Sequence, residues 1–325
     1  MKYKCIYNKK EEYTQHPSIN NINQALDLKF ENKNNDVVEC IQQNDFDTIQ
    51  NNLSTNPLKL QIVSDLHVEY KNNDIPDPLN FITPESPILV LAGDIGSLYK
   101  FNQLKGFITK VCQLFEIVIY VPGNHEYYLH SDCNYKPLSI DVLENRLKSL
   151  ENDIDNLYIL NKQSIVIDNI CITGCTLWTN PEIDIPKFMV PIYGFDKYSY
   201  FEKHKKDLIY INKMINYSNS KNLELVVITH HCPTYKVLND NMTKRNKKKD
   251  KYVSLYVSNL DDIIENSNIN TWICGHIHQN FDFEVTGGTR IVGNQRGKPK
   301  DKICDFSKKF IVDIIPKNKN ILARS

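Results

Sequence analysis

Short apolar runs rich in β-branched residues, each ending in a cluster of histidine, aspartate or asparagine, constrain this chain more than any other feature. Residues 58–64, 88–92 and 117–121 suit buried strands. The first runs into Ser64-Asp65-Leu66-His67, the second ends in Gly93-Asp94, and the third in Pro122-Gly123-Asn124-His125-Glu126. Two later runs end in Thr229-His230-His231-Cys232-Pro233 and Cys274-Gly275-His276-Ile277-His278. The chain has nine histidines, and six of them fall in these segments. Such a concentration calls for a chemical explanation.

Between the second and third runs, Phe101, Leu104, Phe107, Ile108, Val111 and Phe115 recur at helical spacing over 101–115. This alternation of strand and helix predicts an α/β sheet. Further strands are expected at 164–168, 170–174, 223–229, 272–274, 289–292 and 310–315, and helices at 139–150, 200–219 and 255–265. Open α/β sheets bind ligands beyond the carboxyl ends of their strands, which is where the histidine clusters stand. Residues 1–56 are polar and rich in asparagine and glutamine. They are expected to form an N-terminal extension, with a short strand near 4–7 and a helix near 37–51, ahead of a main domain over 57–325. The charged stretch 244–251 reads as a solvated loop that could also steer anions.

Composition narrows the function classes. The chain carries 39 basic and 39 acidic side chains, a formal net charge of zero. General nucleic-acid binders carry a basic excess, so no strong nucleic-acid signature is present. No apolar run is long enough to cross a bilayer, and the first residues lack the apolar core of a secretory signal. The nine cysteines include no Cys-x-x-Cys pair. They read as reduced thiols, which predicts an intracellular, cytoplasmic protein.

The donor types indicate metal chemistry. Imidazole, carboxylate and amide oxygen together suit borderline cations such as Mn, Fe, Zn or Ni. No cysteine stands at a ligand position, which excludes a thiolate-closed structural zinc site. In Asp65-x-His67 and His276-x-His278, residues two apart in an extended segment would project to one side and aim two ligands into one cavity. Gly93, Gly123 and Gly275 would let the backbone turn sharply at the strand ends.

The ordered set Asp-x-His, Gly-Asp, Gly-Asn-His-Glu, His and Gly-His-x-His resembles the calcineurin-like metallophosphoesterase superfamily over roughly residues 58–296. The words at 61–68, 121–128, 174–179, 227–233 and 288–297 look like a bacterial-type branch of it. One departure lies at Gln295, in Asn294-Gln295-Arg296-Gly297, where the branch has Asn-Pro-Arg-Gly.

The resemblance implies a four-layer fold, two mixed sheets packed face to face with helices outside, and a dinuclear centre at the rim. By motif position, Asp65, His67 and His278 would hold one divalent cation, Asn124, His230 and His276 the second, and Asp94 would bridge them. Two such cations would activate a bridging water for attack on a phosphomonoester or phosphodiester, and His125 would protonate the leaving oxygen.

For Glu126, a role in orienting a ligand or fixing the loop stands beside a plain salt bridge. His231 is open between a second layer behind the metals, a phosphate contact and a structural role. Arg296 is open between substrate phosphate and loop tethering. Two other functions compete with hydrolysis of small esters: a catalytically silent protein-binding scaffold on the same fold, which the complete ligand set argues against, and a nuclease, which the neutral charge argues against.

Overall fold

The computed structural model describes residues 57–71, 74–129, 135–185, 189–238 and 252–317. The expected strand and helix within 1–56, and the charged stretch 244–251, lie outside these residues.

Two mixed sheets form the body. The first holds five strands in the order β11-β1-β2-β3-β4: β1 (Leu58–Val63), β2 (Ile88–Ala92), β3 (Ile117–Val121), β4 (Leu157–Ile159) and β11 (Ile311–Ile314). The second holds six in the order β5-β6-β7-β8-β10-β9: β5 (Gln163–Ile167), β6 (Ile170–Cys175), β7 (Glu224–Thr229), β8 (Ile269–Ile273), β9 (Phe281–Glu284) and β10 (Arg290–Gly293). Strands β1 to β4 are mutually parallel, as are β6, β7, β8 and β10. Their carboxyl ends therefore emerge along one rim of each sheet.

Alternation along the strands builds the layers. In β2, Ile88, Val90 and Ala92 enter the core between the sheets, where they join Leu60, Ile62, Val121, Val226, Ile228 and Val292. Leu89 and Leu91 face outward into a second core with Leu104, Phe107, Ile108 and Val111 of α1 (Phe101–Cys112) and Leu143, Leu147 and Leu150 of α2 (Ile140–Asp153). The other sheet packs Leu225, Val227 and Trp272 against Ile211, Met214 and Ile215 of α3 (Lys197–Lys221). Each fully buried aliphatic side chain contributes about 1.5–3 kcal/mol. The four layers that the motifs imply are thus helices, sheet, sheet and helix.

Three departures from the sequence reading bear on the site. The helix expected at 255–265 shrinks to α4 (Asp261–Glu265). Residues before it run beside the strand-end segment instead, with Cys232 N donating to Tyr256 O and Ser258 N to Cys232 O, which brings Tyr256 next to His276. Strands β4 and β9 were not expected, one being three residues long and the other an edge strand with every second residue exposed. No helix among the described residues is long and apolar enough to cross a membrane.

Candidate metal centre

The two rims meet through the segments that follow β1, β2, β3, β7 and β8. Asn294 at the end of β10 stitches the sheets, its Nδ2 donating to Ile62 O and its carbonyl accepting from Ser64 N. On one side of the seam, Nε2 of His67 and Nε2 of His278 lie 3.1 Å apart, with Asp65 Oδ1 3.3 Å from the latter. The other nitrogen of each ring is held by a carboxylate: His67 Nδ1 lies 3.0 Å from Glu69 Oε1, and His278 Nδ1 lies 2.6 Å from Asp301 Oδ2. A carboxylate behind an imidazole fixes ring and tautomer and leaves the forward nitrogen free to ligate.

The opposite side repeats the pattern. His230 Nε2 lies 3.1 Å from His276 Nδ1 and 3.2 Å from Asp94 Oδ1, while His230 Nδ1 donates to Ala92 O. Asn124 Nδ2 donates to Tyr128 Oη at 2.8 Å. That bond fixes the amide, and Asn124 Oδ1 is buried without a hydrogen-bond partner among the described residues. A buried acceptor without a donor is costly unless a cation completes it.

Asp94 stands between the halves. Its Oδ1 faces His230 and its Oδ2 lies 3.9 Å from Nε2 of His67. The backbone that achieves this is not extended: Asp65, His67, Asp94, His276 and His278 all have positive φ, between 50 and 75°. The pairs two residues apart therefore converge because both residues curl into the left-handed region, at some cost in strain, and not because of strand alternation. Among the three glycines, only Gly93 has positive φ. Gly123 and Gly275 serve by lacking a Cβ, which would run into Asp94 Oδ1 in one case and lie 2.7 Å from Asp65 Oδ2 in the other.

Electrostatics fit a cation. Burial pushes the Asp94 carboxyl up, but His230, His125 and His67 outweigh it and hold the group well below the carboxylate range. Burial likewise opposes charge on His230, yet Asp94 and Asp65 raise it to about 9. Positive charge between these carboxylates is favoured. His276 is held well below the ordinary imidazole range, first by burial and then by His231 and His230, so it stays neutral as a ligand must. Three sets of donors converge closely enough to hold an ion: Asp65, His67 and His278; Asp94, His230 and His276; and His67, Glu69 and His125.

The supporting residues have distinct tasks. Glu126 forms no salt bridge among the described residues and clamps the loops. It accepts from the amides of Ile95, Asp94 and Gly123 at 2.7–3.1 Å and from Tyr120 Oη at 2.6 Å. Burial and the Asp94 charge raise it to about 7 against those bonds.

His125 lies against Tyr128, 4.4 Å between ring centroids, with Nδ1 3.3 Å from Glu69 Oε1. His231 turns away from His230, its Nδ1 3.2 Å from Thr176 O and its ring 4.2 Å from that of His276. Arg296 donates to Leu66 O at 3.1 Å and lies over the Phe81 ring.

Gln295 explains the departure from the branch motif. Its backbone N donates to Asn280 Oδ1, which a proline could not do, and its Oε1 accepts from His278 N at 2.7 Å.

Sequence reasoning missed Glu69 and Asp301. Glu69 follows His67 by two residues and was within reach of a search for acids near the motifs. Asp301 sits among lysines in an irregular segment, with nothing in the local sequence to mark it.

The family model described as calcineurin-like phosphoesterase matches residues 58–280. An uncharacterized protein of Acanthamoeba polyphaga mimivirus is 29% identical over 279 residues, covering 78% of this chain and 96% of that one. Among solved structures, a phosphopantetheinyl hydrolase of Mycobacterium tuberculosis superposes with a TM-score of 0.52 at 15% identity, over 81% of this chain and 98% of its own. At that identity the likeness speaks for the fold. The chain belongs to the calcineurin-like phosphoesterase family.

Proposed function

We propose that this member of the calcineurin-like phosphoesterase family hydrolyses a phosphate ester at a centre of two divalent cations. The observation that carries the reading is Asp94, one carboxylate with an oxygen toward each of two imidazole pairs. Asp65, His67 and His278 would hold one cation, Asn124, His230 and His276 the other, and Asp94 both. Bound there, two cations would supply an activated water and offset the charge of the transferring phosphoryl group.

The chain's own residues do the rest. Glu69 and Asp301 hold two ligand rings from behind. Glu126 holds the loops that carry Asp94 and Asn124. His125 delivers a proton from Nε2 to the leaving oxygen, its Nδ1 side facing Glu69. Burial pushes His125 down to about 4 in spite of Asp94 and Glu69. A phosphate seated beside it adds the negative charge that raises it again. Asp65, His67, Asp94, Asn124 and His230 are buried.

The test is a panel of phosphate esters assayed after metal removal and reloading with Mn, Fe, Zn or Ni. Nucleotides, cyclic nucleotides, phosphopeptides and bis(p-nitrophenyl) phosphate belong on it. Hydrolysis of at least one ester only after reloading is expected. Protein that binds two cations and turns over none of them would contradict the reading.

A further inference from the structure

One aromatic ring beside the centre is open to solvent. The one-turn 3-10 helix Val68–Tyr70 directly follows the candidate ligand His67. Three hydrogen bonds pin this turn: Val68 N donates to Ile95 O at 2.9 Å, Tyr70 N to His67 O at 3.2 Å, and Lys100 Nζ to Glu69 O at 2.8 Å. Tyr70 is thereby set edge-on against the His67 ring, with 5.8 Å between centroids. A side chain whose backbone is already held has less freedom to lose on meeting a ligand.

His125 stands edge-on to the same His67 ring at 4.5 Å and lies against Tyr128. Burial separates these neighbours: His125 and Tyr128 are buried, whereas Tyr70 keeps 45% of its surface exposed. Of the large exposed apolar side chains among the described residues, only Tyr70 lies ring to ring with a candidate ligand. On the other half of the centre, Tyr256 lies 5.3 Å from His276, yet it is partly buried against the core of the second sheet. With the leaving oxygen at His125, the group it carries extends from beside His67. There the buried rings offer no open face, and Tyr70 does.

We infer that Tyr70 is a specificity-determining residue that packs against the leaving group and fits the site to phosphate esters with an aromatic ring next to the ester oxygen. The inference rests on the phosphoesterase reading above and names its substrate class. Tyrosine offers a large, rigid contact face at low conformational cost. Two aromatic rings in offset or edge-to-face contact gain more than the area they bury, whereas a short alkyl group covers little of the face.

The experiment compares metal-loaded wild type with Tyr70→Ala, Tyr70→Leu and Tyr70→Phe. Binding of benzylphosphonate and ethylphosphonate, which carry the same charged group and resist hydrolysis, is measured by calorimetry. Values of kcat/KM are measured for benzyl phosphate and ethyl phosphate, whose leaving alkoxides are similarly basic. Metal content and circular dichroism are recorded for each protein. The wild type should bind benzylphosphonate the more tightly. In Tyr70→Ala, with metals unchanged, both benzyl values should fall about 3- to 10-fold, the worth of an aromatic pair, and both ethyl values by less than about twofold. Tyr70→Leu, which keeps apolar bulk without a ring, should follow the same pattern and decides the matter if the alanine variant does not fold. Tyr70→Phe, which keeps the ring without the hydroxyl, should match the wild type.

Wild type that bound the two phosphonates equally would overturn the inference. So would equal losses for both ligands in Tyr70→Ala and Tyr70→Leu, or loss of a cation in them, which would make Tyr70 a support for His67. If the wild type turned over no ester, the phosphoesterase reading would fail, while the phosphonate titrations would still decide the role of Tyr70.

Discussion

Nδ1 of His278 and Oδ2 of Asp301 lie 2.6 Å apart, and this contact turns the ring so that Nε2 points at His67 3.1 Å away. Asp301→Asn keeps the shape and an acceptor oxygen but removes the charge of the oxygen that His278 and the Lys298 amide now share. Affinity for one of the two cations should fall by about 10- to 100-fold, as when a carboxylate behind a ligating histidine is lost. Competition titration with a fluorescent chelator measures it. Two unchanged affinities would show that His278 orients itself.

Glu126 should matter to stability apart from metals. Its Oε1 accepts from Ile95 N and Tyr120 Oη, and its Oε2 from Asp94 N and Gly123 N. In Glu126→Gln one of these oxygens becomes an NH2 group facing two donors that water does not reach. Each buried donor left unsatisfied costs about 1–3 kcal/mol. Urea unfolding of the metal-free protein should therefore show a loss of about 2–4 kcal/mol, with the m-value unchanged. A loss under 0.5 kcal/mol, about the scatter of ordinary surface substitutions, would mean that the loops hold without the clamp.

His125→Ala separates metal binding from proton transfer. Both cations should remain, since His125 lies outside the two ligand sets assigned here. Turnover of an alkyl phosphate should fall by ~10²–10⁴-fold, the usual contribution of a positioned general acid. A p-nitrophenyl ester departs as a weakly basic phenolate and should lose less. Equal losses for both would make His125 a residue that positions the phosphate. Loss of a cation would make it a ligand, in keeping with its place beside His67 and Glu69.

The strands and the histidine clusters were readable because both depend on local pattern. Ile88, Val90 and Ala92 alternate with Leu89 and Leu91 in a run apolar on both faces, as a strand buried between two layers must be. Residues that ligate at strand ends leave a short, ordered motif. The supporting shell left less. Asp301 is recruited from 23 positions beyond His278 by an irregular segment, and no periodicity reports such a contact. The left-handed backbone at Asp65, His67, His276 and His278 was invisible for another reason. Spacing of two fits an extended pair and a pair of curled residues equally well, and only the coordinates separate them. The helix expected at 255–265 failed because its apolar spacing matched a helix while backbone hydrogen bonds to Cys232 drew residues 256–258 away.

The central claim is that one carboxylate, Asp94, serves two cations. Elemental analysis of the purified, metal-loaded protein measures this directly. The wild type should hold two equivalents of divalent metal per chain, and Asp94→Ala should lose both under the same loading, with its circular dichroism unchanged. Stoichiometry in Asp94→Ala equal to that of the wild type would contradict a shared bridge, and with it the dinuclear centre.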